Sequence, residues 1–518
     1  MRLVPREAWL ILGGVLLCGC LNRGTGPEHA PAAAAPRVTR ARRLGVRTPS
    51  VTGNEQLTYR VRLDATLDRI EVEVCPSGFR IERLNAPSPG AARLLADAKI
   101  RAPSGDVACS GDSEGADLPA TKRDECLSYT VNLAQKTPDP SSLRRVGRDR
   151  LASPDLWLWI ATPRPEGLPI RVRLRLPSGV SAALPWPSLP ARARSADSAD
   201  SADSADGADS ADSEWRVPET AFEWKAAGAF THGKIESLAP GLDWAPLGEG
   251  FDHDADVKRW ILQGVQSASV LYGRLPVART LLIAVPSDRA GPAFGMAVRG
   301  GGAAVSIFLN RHADAAALGR DWTCAHEFLH LGVPRLPPED AWLFEGLATY
   351  YTEVTRARSG QLSAAQAYQH LLEGFERGKG EGGALTLREE SAHMRERHSF
   401  YRVYWAGAAL ALLTDLSARR AGGPSLDDAL RSLAACCAAS EEDWDAERVL
   451  AHLDRALGAP RYSELARRWL DRSEFPDLRE TWVALGVTRG SAEQGRAVFG
   501  RARDAALRDA IMAPARAP

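Results

Sequence analysis

An excess of charge of either sign is missing from this chain: Lys and Arg together number 65, and so do Asp and Glu. That balance removes the electrostatic footprint of a protein whose main partner is nucleic acid or an anionic surface. Long apolar runs are scarce too. After residue 17 the longest, Val403 to Leu413, falls short of bilayer length and reads as a buried helix. The acidic repeat from Ser195 to Ser213 lacks the Gly-punctuated spacing of a calcium loop, so its six aspartates read as a self-repelling spacer. What remains, 44% hydrophobic and 25% charged residues over 518 positions, suits a globular protein of two or three domains.

The N-terminus departs from that bulk. Arg2 and Arg6 precede the apolar stretch Trp9 to Leu17, which has the length of a signal-peptide core rather than a membrane span. It runs into Leu17-Cys18-Gly19-Cys20, which resembles the lipobox of bacterial lipoproteins. The resemblance implies cleavage before Cys20, a lipid on its sulfur and a membrane-anchored place in the cell envelope, with a plain secretory signal as the alternative. Of the eight cysteines, six then remain, and Cys109 with Cys126 is the expected bridge. Cys436 and Cys437 point roughly 100° apart on a helix and read as packed thiols.

Periodicity divides the rest. Residues 1–19 read as signal peptide, 20–48 as a flexible tether and 193–214 as a disordered Ser-Ala-Asp linker. Between them, at 49–192, alternation of period two in Leu57 to Leu63, Ile70 to Val74, Tyr129 to Leu133, Leu156 to Ile160 and Ile170 to Leu176 predicts an antiparallel β-sandwich. Residues 215–360 read as a catalytic domain, with a helix over Val257 to Tyr272 and strands at Thr280 to Pro286 and Ala303 to Leu309. Apolar stripes predict helices at Ala364 to Arg377, Arg402 to Arg420, Leu426 to Ala439 and Glu441 to Leu457, a helical part ending near 487. Ser425 with Asp428 and Ser440 with Asp443 have capping-box spacing. Residues 488–518 read as a tail with room for one more helix.

The chemistry concentrates in His326-Glu327-Phe328-Leu329-His330 and in Glu345 of the run Trp342 to Tyr351. Residues four apart share a helix face, so His326 and His330 can aim at one metal ion, while Glu327 is offset towards a water beside it. The Pro-rich connector Gly332 to Pro338 must end that helix, and a second helix from about Asp340 carries Glu345 as third ligand. Three such ligands and an open fourth position make a catalytic Zn2+ site. Cys324 is the rival ligand, but it lies roughly 200° round the helix from His326. An ordinary amphipathic helix is the bland alternative, and Glu345 argues against it.

Together with Tyr401 to Leu413, these motifs resemble the gluzincin metallopeptidases, most closely the glycyl-aminopeptidase family and more distantly the aminopeptidase N family. The likeness covers about residues 215 to 487. It implies a thermolysin-like zincin domain behind an N-terminal β domain, hence an α+β multidomain chain with a mainly helical C-terminal part. It implies zinc ligation by His326, His330 and Glu345, Glu327 as general base, and Tyr404 as the phenol that steadies the tetrahedral oxyanion. Tyr401 and His398 are the alternatives to Tyr404.

Three departures qualify the likeness. Fourteen residues separate His330 from Glu345, fewer than in aminopeptidase N relatives. Phe294 to Gly302 contains no acid to bind a substrate α-amine, and its Arg299 favours a carboxylate instead. No room remains after about 488 for the PDZ module common in the family. The expected function is zinc-dependent hydrolysis of peptide or protein substrates, with no substrate-binding residue assigned. The alternatives are a peptide-binding lipoprotein on a zincin scaffold, and a zinc hydrolase of an envelope ester or amide.

Overall fold

The computed structural model describes residues 53 and 55–514 except 97–98, 104, 109–114, 118–120, 137–138, 166, 190–212, 223–224 and 492. The signal, the tether, Cys20, Cys109 and nearly all of the Ser-Ala-Asp repeat lie outside the described residues. Among the described residues, no helix is long and apolar enough to cross a membrane.

The N-terminal part is built from sheets around one core. In strand Gln56–Leu63, Leu57, Tyr59, Val61 and Leu63 are buried while Arg60 and Arg62 face out, as period two requires. It pairs antiparallel with Arg69–Ser77 but parallel with Ile170–Arg175, so the sheet is mixed rather than purely antiparallel. Alternation reports which face is buried and not strand direction, which is why the parallel pair escapes the sequence. The expected strand Leu156 to Ile160 is also corrected. Pro154–Leu156 is a 3-10 turn, strand begins only at Ile160, and both Trp157 and Trp159 are buried. Their carbonyls accept from the buried phenols of Tyr129 (2.9 Å) and Tyr59 (2.7 Å), so this segment threads the core instead of pairing along it.

Strand pairing carries this β part beyond residue 215. Ser213–Arg216 joins Ile170–Arg175, and Ala229–Thr231 joins Asp149–Ala152. The expected bridge from Cys109 to Cys126 is replaced by Cys75–Cys126. Val74 faces Leu127 in the antiparallel register, which sets Cys75 opposite Cys126, with Cα atoms 4.3 Å apart.

Next comes a five-stranded sheet, in the order Glu236–Ala239, Leu242–Pro246, Thr280–Ser287, Ala303–Asn310, Phe294–Val298. Leu242–Pro246, Thr280–Ser287 and Ala303–Asn310 run parallel, and Phe294–Val298 is an antiparallel edge. Helices Asp254–Tyr272 and Thr323–His330 pack together beside it. Gly264 makes this approach possible, because a Cβ there would lie 2.7 Å from Cys324 Sγ.

Helices dominate the rest. Ala341–Arg358 and Phe400–Arg420 cross at Gly346 and Gly407, where a Cβ on Gly407 would sit 1.8 Å from the Trp342 carbonyl oxygen. Behind the crossing, Asp415 accepts from Tyr350 (2.9 Å) and Arg419 (2.9 Å), and Asp427 accepts from Tyr351 (2.8 Å), Arg419 (3.0 Å) and Arg358 (2.9 Å). Such a buried network holds only because every member is paired. Ser425 and Asp428 form the expected capping box. The next helix starts at Ala446 under an Asp445 cap rather than at Glu441, because Ser440 is engaged by the Trp444 indole (3.2 Å). Cys436 and Cys437 are bridged and not packed thiols, and Cys436 is exposed. The segment after 488 is part of the fold. Its helix Ala505–Met512 buries Ile511 and Met512, and Arg358 donates to the Ile511 carbonyl (2.8 Å).

Glu353 and His370 join two of these helices through a 2.8 Å contact to Nδ1. Burial works against both charges, yet the pair prevails: Glu353 is held below its usual 4.5 and His370 above its usual 6.5. The carboxylate contribution is complete above pH 4.5 and is lost as pH falls through the folded value. The imidazolium contribution is complete below pH 6.5 and is lost as pH rises through its folded value. His370→Gln is therefore expected to lower the urea-unfolding free energy more at about pH 5.5 than at about pH 9. An equal loss at both would contradict the ion pair.

Candidate metal centre

The helix Thr323–His330 is buried along its whole length, so its polar groups must be met by protein. At its start, Asp321 accepts from Thr323 N (2.8 Å) and Ala293 N (2.7 Å), fixing the helix to the edge strand. At its end, Tyr272 donates to the Leu329 carbonyl (3.0 Å), and Arg299 to those of His330 (2.6 Å) and Val333 (2.7 Å). A tight connector through the 3-10 turn Pro338–Asp340 then leads into Ala341–Arg358.

This geometry brings the three expected ligands together. Nε2 of His326 and Nε2 of His330 lie 3.1 and 3.3 Å from the same oxygen, Oε2 of Glu345. Burial opposes the Glu345 charge, but the two imidazoles hold its pKa well below the usual carboxylate range. The His326 Nδ1 faces Thr352 Oγ1 at 3.3 Å, and that hydroxyl donates to the Ala348 carbonyl (2.7 Å). Thr352 therefore accepts from Nδ1–H, which leaves the Nε2 lone pair for a metal. His330 is oriented by stacking on Phe344, with ring centroids 4.1 Å apart. Two imidazole nitrogens and one carboxylate converging on a point are the donor set of a Zn2+ site with one position open.

Two further groups flank the ligands. Glu327 is 7% exposed, and its ligand atom lies within 4.8 Å of those of both histidines. Its Oε2 accepts from Ala297 N (2.8 Å) on the edge strand. Gly295 leaves the room for it, since a Cβ there would lie 2.3 Å from Glu327 Cγ. Burial, with Glu345 adding to it, pushes the Glu327 pKa up to about 7 against His326 and the Ala297 amide. Tyr404 stacks on His326, with centroids 6.0 Å apart at 11°. Burial, with Glu345 and Glu327 adding to it, keeps the phenol protonated.

Several sequence expectations resolve differently. Cys324 turns its thiol to the Ile261 carbonyl (3.9 Å), away from the ligands. Tyr401 lies against Arg377, and His398 is exposed at the end of a short helix, so Tyr404 is the phenol at the centre. Arg299 is not a substrate-carboxylate group: its guanidinium is taken up by the carbonyls of His330, Val333 and Ala438. Sequence reading missed Thr352, Gly295 and the Ala297 amide. Thr352 was findable, because it lies seven residues and about two turns beyond Glu345 on the same helix face. Gly295 and Ala297 act through strand placement, which no local pattern encodes.

No protein-family model matches the chain, and no curated protein does. Solved structures match its fold. An aminopeptidase N family protein from Idiomarina loihiensis aligns over 84% of this chain and 79% of its own, with TM-score 0.63 at 15% identity. An M1 zinc metallopeptidase from Deinococcus radiodurans aligns over 82% and 94%, with TM-score 0.50 at 16% identity. Yeast LTA4 hydrolase, solved with bestatin, aligns over 82% and 68%, with TM-score 0.50 at 11% identity. At these identities the likeness is one of fold, a β part ahead of a thermolysin-like domain and helices.

Thr352→Val preserves shape and removes the acceptor of His326 Nδ1–H. Zinc affinity is expected to fall about tenfold or more, as for other partners that orient a ligand, measured by competition with a chromophoric chelator. Unchanged affinity would remove Thr352 from the site.

Proposed function

We propose that this chain is a zinc-dependent hydrolase of peptide bonds, with Glu327 as general base and Tyr404 as oxyanion donor. The observation that carries this reading is the placing of Glu327 and Tyr404 on the same His326, His330 and Glu345 cluster. A pure binding protein has no need of a buried carboxyl, raised to about 7, beside the ligands. The fold shared with an aminopeptidase N family protein and an M1 zinc metallopeptidase supports peptides as the substrate class.

When bound, zinc supplies a Lewis acid and a lowered water pKa. The chain's own residues do the rest. Glu327 keeps Oε2 on the Ala297 amide, which leaves Oε1 to take the proton of the attacking water and hand it to the leaving amine. Its raised pKa suits both halves of that transfer. Tyr404, held protonated by its surroundings and partly buried, donates from Oη to the oxyanion. On the edge strand, Ala297 and its neighbours offer no acid to a substrate α-amine. The proposed activity is therefore not tied to a free amino terminus, and N-acetylated peptides are expected to be cleaved as well as free ones.

Glu327→Gln is expected to abolish hydrolysis of a peptide library while zinc is retained, and full activity in that variant would sink the mechanism. Tyr404→Phe is expected to lower kcat about 10²- to 10³-fold with KM little changed, the effect of losing one oxyanion donor.

We also propose that the protein is exported and anchored in the cell envelope through a lipid on Cys20. Support comes from the Arg2, Arg6 and apolar pattern ahead of it and from the Cys75–Cys126 bridge, which suits an oxidising compartment. Cys20→Ser is expected to move the protein from the membrane fraction to the soluble fraction and to end fatty-acid labelling. Continued labelling would exclude Cys20.

A further inference from the structure

Arg299 follows the edge strand Phe294–Val298 directly and carries its guanidinium into the interior. Its charge is met there by carbonyl dipoles rather than by a carboxylate. NH2 donates to the carbonyls of His330 (2.6 Å) and Val333 (2.7 Å), and NH1 donates to that of Ala438. His330 ends the ligand helix, and Ala438 caps the helix Leu426–Cys437. Two helix C-termini, the negative ends of their dipoles, thus converge on one cation. Burial lowers the Arg299 pKa to about 10, so the group stays charged at neutral pH.

The same short stretch of chain also governs the base. Gly295 packs on Glu327 Cγ, and the Ala297 amide holds Glu327 Oε2. Five consecutive residues therefore touch the base at one end and the backbone of a ligand at the other.

We infer that Arg299 is a positioning residue that locks the end of the ligand helix, and with it His330, in register with the edge strand that holds Glu327. The inference rests on the zinc reading of the site. A planar fork is what the task requires, since one side chain must reach three carbonyls in different directions. Glu345 meets the His330 ring at Nε2 and Phe344 stacks on it, but its Nδ1 is buried with no hydrogen-bond partner among the described residues, so on that side its placing depends on the backbone that Arg299 grips.

The test compares zinc release from the full-length protein into excess chelator, well below the melting temperature. Arg299→Met is expected to release zinc about tenfold faster or more, the scale of lost ligand-orienting partners. Arg508→Met is the control. Arg508 is also buried and donates to the carbonyls of Leu485 (3.3 Å) and Gly500 (3.1 Å), on segments that carry no ligand. It is expected to lower Tm with zinc release unchanged. Arg299→Lys keeps the charge without the fork and is expected to fall between, with kcat reduced and KM retained. If Arg299→Met does not fold, Arg299→Lys decides alone.

Wild-type release rates in the Arg299 variants would overturn the inference. Equal acceleration by Arg508→Met would do so too, by showing that global stability sets the rate. A wild-type chain that binds no zinc would overturn the metal reading and this inference together, whereas zinc binding with wild-type release overturns only this one.

Discussion

The contact between Gly346 and Gly407 is the constraint on which the metal centre depends. It joins helices Ala341–Arg358 and Phe400–Arg420 backbone to backbone, with a hypothetical Gly346 Cβ only 2.5 Å from Gly407. Any side chain at either position pushes the helices apart, and packed interiors do not absorb such a displacement. Glu345 is the residue before one glycine, and Tyr404 lies three before the other. The separation of the helices is therefore also the separation of Glu345 from the Tyr404 phenol. Behind the crossing, the paired network of Asp415, Asp427, Arg358 and Arg419 fixes the rotation of the same helices.

With the backbone set, electrostatics separates the two carboxyls. Two buried carboxylates share one site and are driven in opposite directions. Glu345 faces two imidazoles and is held ionised, while Glu327 is buried beside Glu345 and is raised to about 7. Carboxyls whose environments separate their pKa values are how a site obtains a permanent charge and a proton carrier from one chemical group. The edge strand adds to this asymmetry, because its Ala297 amide holds Oε2 of Glu327 and not Oε1.

Much of this was legible because it is local. Spacing of four on a helix, a proline-ended connector and a second amphipathic helix bring His326, His330 and Glu345 to one point without long-range information. Strand faces and most helices of the C-terminal half were equally readable from burial periodicity. The misreadings share a different cause. Arg299 looks like an available cation until two helix termini from 31 and 139 residues away close on it. Cys126 pairs with Cys75 because strand register sets them opposite. Trp157 and Trp159 alternate as in a strand but thread a core, and Ser440 loses its capping role to the Trp444 indole.

Sequence alone was enough for the grouping of His326, Glu327, His330 and Glu345 on two adjacent helices, since helical periodicity is a property of neighbours along the chain. It was enough also to show that residues 294–302 contain no acid. Only the tertiary structure decided which phenol faces the ligands, which threonine orients His326, and that Arg299 serves the scaffold rather than the substrate. Those outcomes depend on strand register and on how closely two helices approach. Both are set by packing between residues distant in the chain, where no local pattern carries the information.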